Sequence, residues 1–431
     1  MIVRDLKRVV LLIGPLVVLL ILTASLWHTN NGLRTHVGSF LIPGKTAPPV
    51  NHRPPTLSNN GTHREIYSVS TADGTYFEIR FDNKIVYNPN IIPHPHYERS
   101  WYIVGQELNP PENHDPTYFE FGCVAQFIKG KLSCIDTLAA LPIAPTTGDK
   151  CTGNYEAFSL NVGPHDARVF YGPENPLISY GSNGREVCFG QWVQDFRKLV
   201  DWKHETTINT DFAAGTEVVR QGAPGPLEKN YVLFWDANDA MFVHTNMYPH
   251  RVFAALDRDG NADTDLAPAT AADDDRCLAR YLPALPPKTK ETSESYHQAT
   301  NSLRITMCNR ADPNCKRDDT NTFIMTIIQH KRYYDWHSEY EPYVVLFQQR
   351  APYELYAISE KPLWIAGRKH KNERHTDMLY VTSVNWKMKG LNYHGYLDDV
   401  LIIGFGVEDK NSGGIDVLAG DLMVDLGKCV D

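Results

Sequence analysis

Phe323-Ile324-Met325-Thr326-Ile327-Ile328 and, after a polar interval, Tyr343-Val344-Val345-Leu346-Phe347 decide how this chain folds. Both are short apolar runs rich in β-branched and aromatic residues, the composition of buried strands. Similar runs recur at Ile66-Tyr67-Ser68-Val69, Trp101-Tyr102-Ile103-Val104 and Leu379-Tyr380-Val381-Thr382-Ser383-Val384, each bounded by Gly, Pro, Asn or Asp. Long amphipathic helices are scarce. Trp192, Phe196, Leu199 and Val200 fall at helical spacing between Trp192 and Trp202, although that stretch also reads as a strand and its continuation. Many short strands without alternating helices place the chain in the all-β class, as a propeller or a sandwich. Its length and the polar clusters at its strand edges favour a propeller. No clean repeat period is visible, so it is not an obvious tandem array.

The bulk properties narrow the function. The chain has 431 residues and a net charge of −9. An acidic surface argues against nucleic acid, which needs a basic footprint. Arg4, Lys7 and Arg8 form a short cytoplasmic tail (residues 1–8), followed by an uncharged run from Val9 to Leu26. As a helix this run would reach roughly 27 Å, close to the hydrocarbon thickness of a bilayer. We read residues 9–27 as an uncleaved transmembrane anchor, with the positive flank holding the N-terminus in the cytoplasm. Residues 28–63, rich in Pro, Asn, Gly and Thr, read as a stem. Residues 64–431 then form a lumenal domain, interrupted by an acidic and Pro-rich insertion at about 257–297. The expectation is a single-pass type II membrane protein of the secretory pathway, placed in the Golgi, although sequence does not separate Golgi from endoplasmic reticulum.

Other features agree with an oxidising lumen. Asn60-Gly61-Thr62 is an N-glycosylation acceptor. The chain has eight cysteines and no CxxC pair. Cys123 and Cys134 flank a turn at Lys129-Gly130-Lys131, and Cys308 and Cys315 bracket another, so both pairs are expected disulfides. Cys151, Cys188, Cys277 and Cys429 cannot be paired from sequence. No metal is expected. Asp257-Arg258-Asp259-Gly260-Asn261-Ala262-Asp263 alternates oxygen ligands as calcium loops do, but its glycine is misplaced and no glutamate closes it. The D-x-D pairs of this acidic segment lack a β-α-β context. G-x-S-x-G, H-E-x-x-H, P-loop and Rossmann motifs are absent.

Five polar clusters carry the candidate chemistry. His165-Asp166-Ala167-Arg168 opens a strand, and Asp166 between an imidazole and a guanidinium suits a general acid or base. Glu228-Lys229-Asn230 groups a carboxylate, a cation and an amide before Tyr231. Tyr248-Pro249-His250-Arg251 follows another strand. Asp398-Asp399 could be a carboxylate pair with split titration. Arg350 and Tyr353 lie between two strands, where arginine can meet phosphate. Each cluster alone also reads as a solvated turn or a structural ion pair. As a group they are expected to meet around one hollow.

Asn88-Pro89-Asn90-Ile91-Ile92, the cluster at 165–170, Glu228-Lys229-Asn230-Tyr231 with Tyr248-Pro249-His250, and residues Asp399 to Gly406 occur in one order. This resembles the five-bladed β-propeller group around the β-mannoside phosphorylases and the fungal β-1,2-mannosyltransferases, and also fungal type II membrane proteins. The likeness runs through most of residues 85–410 by short motifs. In that group a segment like E-D-P-R opens a blade, and E-K-N-W with a later P-H follows. His165, Ala167 and Tyr231 depart from those patterns. The resemblance implies a five-bladed propeller and a general acid/base role for Asp166. It also implies phosphate or sugar contact for Arg168, and Glu228, Lys229 and Asn230 lining the same funnel. A nucleotide sugar such as GDP-mannose is the donor it implies, with no other cofactor.

The leading expectation is therefore a membrane-anchored lumenal glycosyltransferase with a glycan or glycolipid acceptor. Asp166 would take the acceptor proton, while Arg168, Lys229 and Arg350 balance the leaving diphosphate. The alternatives are a β-mannoside hydrolase or phosphorylase using Asp166 with Glu228 or Asp399, and a non-catalytic glycan-binding membrane protein. His165, Asn230, Tyr248, His250 and Tyr353 are expected to contact substrate.

Overall fold

The computed structural model describes residues 61–107, 118–160, 163–202, 210–289, 292–372 and 375–429. The expected anchor at 9–27, nearly all of the expected stem and the Asn60 acceptor lie outside these residues. Among the described residues no helix is long and apolar enough to cross a membrane.

Most of the described strands fall into five antiparallel groups along the chain, and Phe77–Arg80 also pairs in parallel with Lys131–Cys134. The first comprises Val86–Pro93, Trp101–Glu107, Glu120–Ile128 and Lys131–Cys134. The second comprises His165–Tyr171, Pro176–Asn183, Phe189–Asp195 and Thr216–Val218. The third has three strands, Val232–Trp235, Met241–Asn246 and Val252–Ala255. In the fourth, Ser293–Gln298 and Leu303–Thr306 both pair with Thr322–Tyr334, which continues into His337–Gln348 and Leu355–Ser359. The fifth runs Leu379–Trp386, Val400–Val407 and Asn411–Leu418, and its outer strand is Phe77–Arg80 from before the first group. The two ends of the domain thus share one sheet, and this all-β arrangement is propeller-like. Burial follows position. Outer Phe77–Arg80 alternates buried and exposed residues, whereas inner Leu379–Trp386 is buried at all but one residue.

The first strand of each group is an inner edge, and its unpaired backbone groups need partners. Buried side-chain amides and hydroxyls supply them from the neighbouring group. Asn90 donates to the Ala167 carbonyl (2.8 Å) and accepts from Val169 N–H (3.0 Å), joining groups one and two. Gln191 accepts from Tyr231 N–H, joining two and three. Gln298 and Ser302 donate to the carbonyls of Asn230 and Leu233, joining three and four. Asn301 and Gln329 each both donate to and accept from the backbone, at Val384 and Val381, joining four and five. Asn385 donates to the Ile91 carbonyl, closing five onto one.

Two local readings resolve here. Trp192 lies on the strand Phe189–Asp195, and a 3-10 turn at Phe196–Lys198 follows, so the helical alternative fails. The helical spacing arises because strand and turn together aim Trp192, Phe196 and Leu199 into one apolar cluster. The segment at 257–297 holds the helix α1 (Ala271–Tyr281) and ends in the fourth group's strand Ser293–Gln298. Asp274 of α1 is buried against Arg251 at 2.7 Å. Disulfides join Cys123 to Cys134 and Cys308 to Cys315, as the turns predict, and also Cys151 to Cys188 and Cys277 to Cys429.

If the amide bridges hold the groups together, Asn90→Ala should lower unfolding stability by about 2 kcal/mol, since it orphans a buried N–H and a buried carbonyl. Glu78→Ala, on the exposed outer strand, should change it by less than about 0.5 kcal/mol. Denaturant unfolding of the two variants measures both.

Candidate active site

The chemistry-bearing residues gather where the inner strands begin. The sheet register slips between Tyr87 and Asn90 and between His165 and Arg168, so both inner strands carry a bulge. Asn88 (φ 53°) and Asp166 (φ 49°) sit in these bulges in the left-handed region, which Asn and Asp tolerate better than most residues. The bulges re-aim the two side chains toward each other, and Asn88 Nδ2 donates to Asp166 Oδ1 at 2.8 Å. Gln106 Oε1 accepts from the Asp166 backbone N–H at 3.1 Å. Asp166 itself is solvent-exposed, so its carboxylate can meet a substrate.

Behind it lies a residue the sequence reading missed. Glu120 is 1% exposed and accepts from Ala167 N–H at 3.1 Å. Its Oε2 is buried without a hydrogen-bond partner among the described residues. Burial, together with the nearby Asp166 charge, pushes the Glu120 carboxyl up to about 8, against the pull of the Ala167 N–H and Arg168. Glu120 is therefore mostly protonated at neutral pH, while Asp166 is the carboxylate that meets solvent.

All five groups contribute to this mouth. His165 packs edge-on against Phe189 and faces Tyr118, and burial lowers its imidazole to about 4, so it is neutral. Arg168 is committed inward. Its Nε donates to the Ala299 carbonyl at 2.8 Å, one terminal nitrogen to the carbonyls of Asp166 and Ala167, and the other to Tyr380 Oη at 3.1 Å. It is a buried tie across three groups before it is a substrate contact. Asn230 (φ 62°) lies within 3.4 Å of His297 Nδ1, and burial lowers His297 to about 4. A narrow cleft runs between Asp166, Lys229, Asn230 and Gln298, and a side cavity of ≈ 90 Å³ opens beyond Lys229 toward Tyr248 and Tyr296.

Lys331, Tyr340, Tyr380 and Asp409 complete the mouth, and none was singled out from sequence. Burial and then the Lys229 charge lower the Lys331 ammonium. Burial and then Asp166 raise the Asp409 carboxyl. The Tyr340 and Tyr380 rings meet at 4.8 Å, with the Lys331 ammonium 5.5 Å from the Tyr340 centroid. Neither Lys229 nor Lys331 makes an ion pair with a described residue.

Other expected members lie elsewhere. Glu228 faces away, receiving hydrogen bonds from Arg220 (2.9 Å), Tyr231 Oη and Gly225 N–H. Burial alone would raise its carboxyl, but these donors outweigh burial and hold it low. His250 is exposed on the flank, bonded to Asp275 of α1 at 2.8 Å. Tyr248 packs on Tyr296 at 4.4 Å and lines the side cavity, not the cleft at Asp166. Asp399 is clasped by Arg310 at 2.6 Å and caps Tyr396 N–H. It precedes Val400, which pairs with Leu418, whereas mouth-side Tyr380 pairs with Gly406. At about 3.3 Å per residue it lies roughly 25 Å away, at the opposite end. Arg350 sits at that same far end, bonded to Asp319, and Tyr353 is buried among Phe234, Phe242 and Phe253. The Asp257 loop closes on itself through Asp259 and Asn261 N–H groups. Among the described residues no cluster of three metal-ligating side chains exists.

No family model and no curated protein matches the chain. Solved structures similar to it include a putative glycoside hydrolase from Bacteroides ovatus (10% identity, TM-score 0.44, 80% of this chain and 91% of that one). A β-1,2-mannobiose phosphorylase from Listeria innocua gives 11% and 0.43 over 80% and 93%. A GDP-Man-dependent mannosyltransferase from Leishmania mexicana gives 11% and 0.40 over 80% and 89%. Likenesses this low carry no activity across. The architecture rests on the sheet order, and the site on its side chains.

Glu120 makes the site testable by pH. Its folded-state affinity for a proton exceeds that of an unfolded glutamate, whose pKa is about 4.3. Its contribution to stability is therefore complete below that value and is lost as pH rises toward about 8. Glu120→Gln, which mimics the protonated acid, should flatten this part of the stability–pH curve. Urea unfolding of both proteins between pH 5 and 8.5 checks it.

Proposed function

We propose that this protein is a carbohydrate-active enzyme, a glycosyltransferase that moves a sugar from an anionic donor onto a saccharide hydroxyl, with its five strand groups acting as blades of a closed propeller. The observation that carries this reading is the exposed carboxylate Asp166, which shares its mouth with Asp409 and with two lysines, Lys229 and Lys331, that lack ion-pair partners among the described residues. Lys331 is held below its ordinary value partly by Lys229, so the two cations repel across the mouth. A phosphate or diphosphate placed between them would relieve that repulsion.

In the forward step the acceptor oxygen bonds to the anomeric carbon as the sugar–phosphate C–O bond breaks. Asp166 takes the acceptor proton, oriented by Asn88, and the lysines meet the charge left on the phosphate. Arg168 fixes the bulge that carries Asp166, through the Asp166 carbonyl. Glu120, neutral, adds no second negative charge close to Asp166. The Tyr340 and Tyr380 rings offer a face to a pyranose. GDP-mannose is the donor suggested by the sequence resemblance, and an anchor at 9–27 would hold the domain in the secretory lumen.

The same geometry supports phosphorolysis as a second reading, favoured by the same lysines. Inorganic phosphate is then the nucleophile, and Asp166 donates a proton to the departing sugar. Hydrolysis would need a second carboxylate to activate water. Glu228 and Asp399 are turned away or distant, which leaves Asp409.

The full chain should therefore turn over GDP-mannose with a β-mannoside acceptor, or β-1,2-mannobiose with phosphate, as measured by product chromatography. Asp166→Asn should lower the rate by at least about 10²-fold. Asp399→Asn should leave kcat unchanged. Turnover of neither substrate pair, or an active Asp166→Asn protein, would overturn the proposal.

A further inference from the structure

The hairpin formed by Thr322–Tyr334 and His337–Gln348 has strands of 13 and 12 residues, and among the described residues the longest other strand has nine. The excess length extends beyond the mouth. Lys331 pairs with Tyr340, and the ladder then continues through Arg332–Glu339 and Tyr333–Ser338 to Tyr334–His337. Asp335 and Trp336 form the two-residue turn, with φ of 50° and 61°. Such turns prefer Asn-Gly or Asp-Gly, because both central residues lie in the left-handed region. An indole there is strained, and Trp336 is 94% exposed, far more than any other large hydrophobic residue described.

Neither the strain nor the exposure serves the core, yet the tip is held firmly. Tyr334 stacks on His375 at 5.2 Å, and His337 Nε2 lies 2.9 Å from the Thr376 carbonyl. Arg332 pairs with Glu339 at 3.0 Å across the hairpin. On one flank an open cleft of ≈ 440 Å³ is lined by Thr292, Glu294, Arg332, Tyr333, Tyr334 and Asp335. Aromatic faces beside carboxylate, guanidinium and hydroxyl groups are the chemistry that holds a saccharide, by stacking and hydrogen bonds together. From Lys331 to the turn the strand climbs roughly 13 Å at 3.3 Å per residue. That distance is matched by an oligosaccharide and not by one sugar.

We propose that this hairpin tip is a remote acceptor subsite, in which Trp336 stacks on a sugar of an oligosaccharide chain whose reacting end lies at Asp166. The inference rests on the glycosyl-transfer reading and assigns its acceptor as an extended saccharide.

The test uses the full chain and Trp336→Gly. Glycine suits the left-handed turn, so the variant should fold at least as well as the parent. Calorimetric titration with β-1,2-mannotetraose and with mannose supplies a readout that needs no turnover. Affinity for the tetrasaccharide should fall roughly tenfold in Trp336→Gly, the size of one stacking contact, while affinity for mannose stays the same. Equal tetrasaccharide affinity in the two proteins overturns the subsite, as does absence of tetrasaccharide binding by the parent. Binding of phosphatidylcholine vesicles that Trp336→Gly abolishes, with tetrasaccharide binding unchanged, assigns the tip to a lipid surface and also overturns it. If Trp336→Gly weakens tetrasaccharide binding in a chain that transfers no sugar, the subsite stands and the reaction falls. If transfer is lost in Asp166→Asn but tetrasaccharide binding is indifferent to Trp336, the reaction stands and the subsite falls.

Discussion

The inner edge of every strand group must satisfy backbone groups that no further strand can reach. That constraint organises the domain. Asn90, Gln191, Gln298, Ser302, Asn301, Gln329 and Asn385 meet it by bonding to a neighbouring group's main chain. An apolar side chain at any of these positions would leave donors and acceptors buried without water, a penalty of about 1–3 kcal/mol each. The bridges therefore set where each group stands relative to its neighbours. The mouth inherits its geometry from them. Arg168 is the same device at the rim, binding backbone of the second and fourth groups and the Tyr380 hydroxyl.

The site follows from two departures from regular strand geometry. Bulges at Asn88 and Asp166 turn a hydrogen-bonding amide and a carboxylate out of their ladders and into contact. Burial then separates the roles of neighbouring acids. Glu120, enclosed, keeps its proton to higher pH. Asp166, at the surface, remains open to a ligand. Like-charged Lys229 and Lys331 stand close by, and a phosphate between them would relieve their repulsion.

Much of the fold was legible from local composition. The runs at 323–328, 343–347 and 379–384 are strands, and two disulfides followed from turn spacing. The site was legible only in part. His165, Asp166, Lys229 and Asn230 meet at the mouth, but Asp399 and Arg350 do not. The physical reason is alternation. In an antiparallel meander whose inner strands start at one end, the turn between the second and third strands returns to that end, and the turns on either side of it do not. Asp399 and Arg350 sit in turns of the second kind. Asp409 and the Lys331–Tyr340 pair sit at turns of the first kind. Counting strands from each inner edge would have found them. Glu120 carried no such signal, because a single acid within Phe119-Glu120-Phe121 looks like any alternating strand residue.

By itself, then, the order of residues determined the strands, the turns and the presence of Asp166 at a strand entry, because these depend on side-chain shape and backbone preference within a few residues. Only the tertiary structure decided which strand ends share a mouth, which carboxyl is buried and keeps its proton, and which cations face one another. Those properties depend on distance and on exclusion of water across groups up to about three hundred residues apart in the chain, as between Asn385 and Ile91.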